Sequence, residues 1–288
     1  KTQEQLNLKG RAAGPKFLTK AMGNIAAAQF SINHGIQGPS MTVSTACSSG
    51  GDAITLAAMM ISSGMADAMV VMAGEGAICK TMIQSLTRTG ALSKTGSSRP
   101  FDAERNGFVL GEGGGALILE SEESVKARNA EPLAQLLGCG NNTDAYNPVS
   151  PTPDGSGAAR CMKLALENAG ITADEIDYVN AHGTATEMGD IAEYNAMRLV
   201  FGERRVSVSS TKGMTGHMMG AGGVCEVISC IYAIRSGNMP VNVGCSVRDE
   251  RCDVELVTME NRKRDVRIAM SNALGFGGQN SCIIVGRA

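Results

Sequence analysis

The sequence predicts an α/β fold made of two similar halves, and three features of the chain point to it. Short apolar, β-branched runs alternate with segments whose apolar residues recur at helical spacing, the pattern of buried strands and crossover helices. Glycine is abundant, with 36 among 288 residues, and clusters where the predicted strands end. Two distant segments also share one plan: VSTACSSGGDAITLAAMMISSGMAD (43–67) and VSSTKGMTGHMMGAGGVCEVISCIYAIRSGNMP (208–240). Each runs from a V-S strand end through a threonine and a glycine-rich turn bearing a chemically interesting residue. An apolar helix follows, stopped at SGM or SGN. A reactive residue at the same point of two units suggests a duplicated fold whose halves meet around one site. Chance similarity of two strand–helix units is the alternative.

In order along the chain, residues 1–13 are polar, weakly patterned and assigned no structure. Residues 15–34 read as a helix, with Pro15 near its start and Gly35 as its stop. MTVST (41–45) reads as a buried strand. Residues 52–63 read as a helix, with Ile54, Leu56, Ala57, Met60 and Ile61 in phase, and 68–73 as a strand. Residues 108–110 and 116–120 read as a hairpin joined through GEGGG (111–115). That glycine run precedes a strand, where a dinucleotide loop would open a helix, so a nucleotide site is rejected. A strand (134–138), a helix (156–169), a strand (176–180) and a helix (190–201) come next. Strand 206–209, helix 222–235 and two or three terminal strands ending at 281–285 complete the chain.

Composition narrows the function. The chain is 43% hydrophobic and 19% charged, ordinary for a globular protein with a large core. A net charge of -2 and 3% aromatic residues give neither the basic footprint nor the stacking platforms of nucleic-acid binding. The apolar run 66–73 is too short for a membrane span and is interrupted by Asp67. Nine cysteines, an odd number without CxxC spacing, argue for a reducing compartment and against a disulfide framework or a zinc site. The chain opens on Lys1, so its natural beginning is expected upstream.

Cys47 sits where a strand-like run breaks into small residues and then a helix. A thiol at a helix start meets unpaired backbone N–H groups and the positive end of the dipole, both of which favour the nucleophilic thiolate. A small buried cysteine in a strand-to-helix turn is the plain alternative. Of the three histidines, His34 ends a predicted helix and reads as structural. His182 (in NAHGTAT) and His217 (in STKGMTGH) each follow a predicted strand among small residues, where α/β folds place their sites. Together with Cys47 they suggest a thiol flanked by two imidazoles.

TACSSG, NAHGTAT, SSTKGMTGH and NALGFGGQN, in this order and with RPFDAERNGFVLGEGGGALILE between the first two, resemble the β-ketoacyl–acyl carrier protein synthase family. These are the elongating condensing enzymes of thiolase-like fold, and the similarity runs from about Gly14 to the end. The resemblance implies a layered α-β-α-β-α arrangement. Its N-terminal half would comprise residues 14–135 with Cys47, and its C-terminal half residues 136–288 with His182 and His217. The family's catalytic domain begins further upstream, so the chain is expected to be N-terminally incomplete. The branch that starts chains from coenzyme A esters resembles Cys-His-Asn, whereas this chain has His217. Thiolases carry a second cysteine in the C-terminal glycine loop, where this chain reads Leu274-Gly275-Phe276.

The family further implies that Cys47 accepts an acyl group from the phosphopantetheine arm of an acyl carrier protein. Decarboxylation of a malonyl thioester then gives an enolate that attacks the acyl carbon, and two imidazole N–H groups stabilise the enolate oxygen. The amides of Cys47 and Phe276 would form the oxyanion hole, and Phe276 would gate the acyl pocket. Lys212 matches the family's active-site lysine, with Glu226 and Asp190 as candidate partners behind the histidines. Thr184 and Thr186 match positions that bind the pantetheine arm. The 17 methionines suit an acyl tunnel as well as irregular core filling. No cofactor, metal, nucleic acid or membrane span is expected; a homodimer in a cytoplasmic or organelle-matrix setting is. A non-condensing, synthase-like subunit that needs a partner chain is the rival reading, and the intact Cys47, His182 and His217 argue against it.

Overall fold

Runs such as AMSNAL and SCIIV present no polar face, so strands built from them need cover on both sides. The computed structural model, which describes residues 16–76 and 78–288, supplies that cover. Residues up to Thr42 and residues from Val43 onward cluster as two separate units. In the first, α1 (Leu18–Ala21) and α2 (Ile25–His34) replace the single helix expected over 15–34. The break falls at Met22, Gly23 and Asn24, where Met22 is extended and glycine and asparagine disfavour helix interiors. Gly35 ends α2 in the left-handed region (φ 66), as expected, and the ring of His34 packs on Phe30 at 4.4 Å. Pro15, Gly14 and the segment 1–13 lie outside the described residues.

The second unit starts with a 3₁₀ turn (Ala46–Ser48) that leads into α3 (Ser49–Ser62). It continues through β1 (Ala68–Glu75), α4 (Lys80–Thr89), β2 (Gly113–Glu120), α5 (Glu122–Ala127) and β3 (Gln135–Thr143). Then come α6 (Ser156–Ala169), β4 (Tyr178–Asn180), α7 (Glu187–Phe201) and β5 (Ser207–Ser209). The short α8 (Lys212–Thr215), a 3₁₀ turn (Met219–Ala221), α9 (Gly222–Ser236), β6 (Glu255–Leu256), β7 (Ile268–Gly275) and β8 (Gln279–Gly286) complete it.

Six strands form a mixed sheet in the order β3-β8-β7-β4-β5-β6, while β1 and β2 pair antiparallel in a second sheet. Alternate residues of β8 face opposite cores. Ile283 and Val285 join Ile54 of α3, Val71 of β1 and Val224 and Val227 of α9; Cys282 and Ile284 join Ala165 of α6 and Ala196 of α7. Helices α3 and α9 therefore lie between the two sheets, and α6 and α7 cover the far side of the larger one. Residues 43–288 thus build four of the five expected layers. On the outer face of the smaller sheet, Ile118 is 71% exposed.

Three expectations are corrected. Residues 41–45 form no strand, because no described strand lies alongside to pair with their backbone. The hairpin of 108–110 with 116–120 does not form: β2 pairs with β1, and Leu110 instead bridges His217. The glycines of GEGGG are accordingly not a turn. Gly113 to Gly115 lie within β2, where a Cβ on Gly114 would meet the Ala73 carbonyl oxygen at 2.8 Å and one on Gly115 the Ile228 side chain at 2.9 Å. They are present because neighbours come close.

The expected repeat is visible in the backbone. Each unit places one left-handed residue, Ala46 (φ 53) or Met219 (φ 40), at the first position of a 3₁₀ turn that opens an apolar helix. Cys47 and His217 do not share a position, however. Cys47 follows its left-handed residue directly, while His217 comes two residues before Met219.

Candidate active site

Cys47 is reached through a strained turn. A left-handed alanine costs about 1–2 kcal/mol, and Ala46 is held there while the chain swings into α3. The result is a cysteine at a helix start with 3% of its surface exposed. Glycines let neighbouring backbone close around it. A Cβ on Gly50 would stand 2.8 Å from the Val224 nitrogen, and one on Gly275 would stand 2.9 Å from the Thr45 carbonyl oxygen.

Strands β7, β4 and β5 are adjacent and parallel, so the segments leaving their carboxyl ends converge. His182 follows β4, Lys212 and His217 follow β5, and Phe276 follows β7. His217 Nε2 lies 3.1 Å from Cys47 Sγ. The rings of His182 and His217 meet edge to face with centroids 5.3 Å apart, and Phe108 supports His217 the same way at 5.0 Å. Lys212 Nζ stands 3.4 Å from His182 Nδ1 and makes a buried ion pair with Glu226.

The protonation pattern follows from these partners. An ammonium has only donors, so His182 turns a lone pair at Nδ1 toward Lys212 and carries its proton on Nε2. His217 Nδ1 is buried and has no partner among the described residues. A buried lone pair is more tolerable there than an orphaned N–H, which favours the proton on Nε2 in this ring too. Burial first, and the Lys212 charge second, hold both histidines well below the usual imidazole range, so both rings are neutral.

Burial pushes the Cys47 thiol up to about 11, against the pull of the Lys212 charge and of the Phe276 and Cys47 backbone N–H groups. This corrects the expectation of a thiolate favoured by the helix start. The favourable dipoles are present, but desolvation outweighs them. Both amides face the sulfur closely enough to pull the thiol down. Phe276 itself is half-buried, in a turn closed by Gly277 (φ 86) and Gly278 (φ 73).

Glu226 lies where expected, against Lys212 and raised by burial. Asp190 does not. It accepts from the Phe101 and Ala185 amides at 2.8 and 3.1 Å and lies 3.4 Å from Arg105 Nε, so it ties loops together instead of backing the histidines. The Thr184 and Thr186 hydroxyls are 3.0 Å apart in the loop after His182.

One residue escaped the sequence reading. Glu193 on α7 accepts from the His182 and Gly183 amides at 2.8 Å each and from Asn272 Nδ2 at 3.2 Å. It thereby fixes the backbone that carries His182. The available signal was its phase, since it shares the buried face of α7 with Ala192, Ala196 and Met197. Among the described residues, no group of three or more His, Cys, Asp or Glu side chains is arranged to hold a metal ion.

Comparison with known proteins settles the family. Residues 1–124 match the beta-ketoacyl synthase N-terminal domain, and residues 133–246 match its C-terminal domain. The 3-oxoacyl-[acyl-carrier-protein] synthase 2 of Rhizobium meliloti is 41% identical over 285 residues, which cover 96% of this chain and 68% of the relative. The chain belongs to the β-ketoacyl synthase family. The synthase 2 of Staphylococcus aureus is 38% identical over 288 residues, covering 98% of this chain and 72% of its own length. Among solved structures, a β-ketoacyl synthase from Burkholderia phymatum superposes with a TM-score of 0.93 at 33% identity, covering 100% of this chain and 71% of that one. A type II polyketide ketosynthase, solved with its acyl-carrier protein and bound to a hexaketide, gives 0.92 at 31% identity, covering 96% and 69%. The fold is accordingly thiolase-like, and β-ketoacyl synthases of this family are condensing enzymes.

Proposed function

We propose that Cys47 is the acyl acceptor of a decarboxylative Claisen condensation and that His182 and His217 hold the enolate oxygen. The chain is a β-ketoacyl-ACP synthase, an acyltransferase of fatty acid or polyketide synthesis. The observation that carries the residue roles is the convergence of His217 Nε2, the neighbouring His182 ring and the Phe276 amide on the Cys47 side of the site.

In the loading step, the Cys47 sulfur attacks the acyl thioester carbon, and its proton leaves with the pantetheine thiol. The Cys47 and Phe276 amides receive the oxyanion. A malonyl thioester then loses carbon dioxide, and its electron pair becomes an enolate. Two neutral imidazoles bearing N–H at Nε2 stabilise that oxygen without first having to give up a charge. The enolate attacks the acyl carbon, and Cys47 departs as a thiolate that takes up one proton. The product is a β-ketoacyl thioester two carbons longer. Lys212, paired with Glu226, keeps His182 in the donor tautomer, while Thr184 and Thr186 receive the arm and Phe276 gates the acyl pocket.

Both substrates ride on the phosphopantetheine of an acyl carrier protein, and the chemistry asks for no separate cofactor. The halves 14–135 and 136–288 contribute the thiol and the imidazoles respectively, and a homodimer is the working assembly. No helix among the described residues is long and apolar enough to cross a membrane, and all nine cysteines are free, in keeping with a reducing cytoplasm or organelle matrix.

Intact mass spectrometry after incubation with an acyl-loaded carrier protein tests this reading. One acyl adduct should map to Cys47 and vanish in Cys47→Ala, with the fold retained. An adduct that survives the substitution, or maps to Cys79 or Cys225, overturns it.

A further inference from the structure

Ser48 stands at the N-cap of α3 but does not cap it. Its hydroxyl instead donates to the Thr45 carbonyl at 2.8 Å and to Asp52 Oδ2 at 3.0 Å. The Thr45 hydroxyl donates to the same Asp52 oxygen. The other oxygen accepts from Asn141 Nδ2 of β3 at 2.6 Å. Asp52 is 8% exposed, and its three partners are all donors, a set that an acceptor-only carboxylate satisfies in full. The bonds it receives come from the residues that bracket Ala46 and Cys47 and from the neighbouring sheet. The same first turn is pressed onto that sheet at Gly51, where a Cβ would stand 2.4 Å from Ser281 Oγ, and Ser281 pairs with Asn141.

We infer that Asp52 is a positioning residue for Cys47: its carboxylate clamps Thr45, Ser48 and Asn141 together and so holds the left-handed turn that sets the thiol against His217 and the Phe276 amide. The inference rests on Cys47 being the acyl acceptor. The left-handed Ala46 needs such a clamp, because an alanine released from its surroundings leaves that region. The charges that act most on the thiol belong to Lys212 and Glu226, so Asp52 works through the backbone.

The test compares Asp52→Ala, Asp52→Asn and Thr45→Val in the full-length protein. Three readouts are used: acyl loading, malonyl-carrier decarboxylation, and the rate of Cys47 alkylation by iodoacetamide mapped by mass. Displacing a reacting atom by about 1 Å costs up to about 10²-fold, so Asp52→Ala should lower the kcat of loading about 10- to 100-fold. The KM for the acyl carrier and the decarboxylation rate should each stay within about threefold, because the histidines are carried by the segments after β4 and β5. Asp52→Asn, whose amide oxygen still accepts from Thr45 and Ser48 once Asn141 turns its own oxygen inward, should restore most of the loading rate. If Asp52→Ala fails to fold, Thr45→Val decides, since it removes one hydroxyl at nearly constant shape and should still slow loading and alkylation. Unchanged loading in a folded variant overturns the inference. So does a parallel fall of loading, decarboxylation and thermal stability that asparagine does not rescue. If the wild type does not load an acyl group at all, the acceptor assignment falls instead, and the alkylation rates alone then decide the role of Asp52.

Discussion

His217 Nε2 lies 3.1 Å from Cys47 Sγ, although the two residues are 170 positions apart in the chain. The contact joins the two repeated turn-to-helix units, and the proposed chemistry depends on it. It also makes the role of the histidine separable by experiment.

His217→Ala should lower malonyl decarboxylation by at least ~10²-fold, the effect of removing a donor aimed at a developing oxyanion. Loading of Cys47 should survive in part, since the Cys47 and Phe276 amides remain. Separate assays of the two half-reactions check this. Equal loss in both would make His217 the base for the thiol and not a donor to the enolate.

The reactivity of Cys47 should report its burial. With the thiol pushed up to about 11, alkylation in the free protein should accelerate about tenfold per pH unit and show no plateau through pH ~9. Replacing Lys212 and Glu226 together, as Lys212→Met/Glu226→Gln, should slow alkylation at fixed pH, because Lys212 pulls the thiol down more than Glu226 pushes it up. The pair is changed together because either charge left alone is buried without its partner, a loss of about 3–5 kcal/mol. A plateau near neutral pH would show that the helix start wins over burial after all.

Glu193→Leu should destabilise the protein through the two amides, His182 and Gly183, that it leaves unpaired, at about 1–3 kcal/mol each. Glu193→Gln keeps an acceptor and should lose less. Calorimetry and the decarboxylation assay should move together in these variants, because the same bonds hold the His182 backbone. Decarboxylation unchanged in a destabilised Glu193→Leu would detach this residue from the site.

Acid should act through the two histidines with a definite sign. Both are held neutral below their ordinary value of 6.5, so the unfolded chain takes up protons first as pH falls, and stability drops below that value. Buried Asp190, Glu193 and Glu226 are raised and act in the opposite direction. A His182→Asn/His217→Asn variant retains those acids. Melting curves from pH ~7 to ~5 should therefore show the wild type losing more stability than the variant. Identical slopes would mean that one or both rings is charged in the native state.

The legible parts of the site were those that short motifs specify locally. His182, Lys212, His217 and Phe276 each follow a strand end marked by small residues, Cys47 stands where small residues open a helix, and helix 156–169 was readable to the residue because Gly155 and Gly170 bracket an apolar period. What escaped depended on contacts across the chain. Glu193 looks like any helix acid until α7 packs its buried face toward the His182 loop. GEGGG resembles a turn because composition cannot distinguish glycine that bends from glycine that admits a neighbour. MTVST carries strong β-propensity, yet a strand exists only with a partner. The thiolate expectation failed because dipole and charge are readable from position, whereas desolvation depends on everything that covers the sulfur.

The glycine run after Val109 also bears on tolerance to sequence change. His217 donates its amide to Val109 at 2.7 Å and accepts from the Gly111 amide at 3.0 Å, while a Cβ on Gly111 would stand 2.3 Å from the Thr215 carbonyl oxygen and one on Gly113 2.7 Å from Met218 Sδ. The backbone of His217 is thus seated by a segment whose bare backbone works like a shim of minimum thickness. Any residue other than glycine at Gly111 would thicken that shim, and the added width would displace His217 from the thiol. A mutational map of this protein should therefore show intolerance at Gly111 approaching that of the histidine itself, although the glycine has no side chain to take part in the reaction.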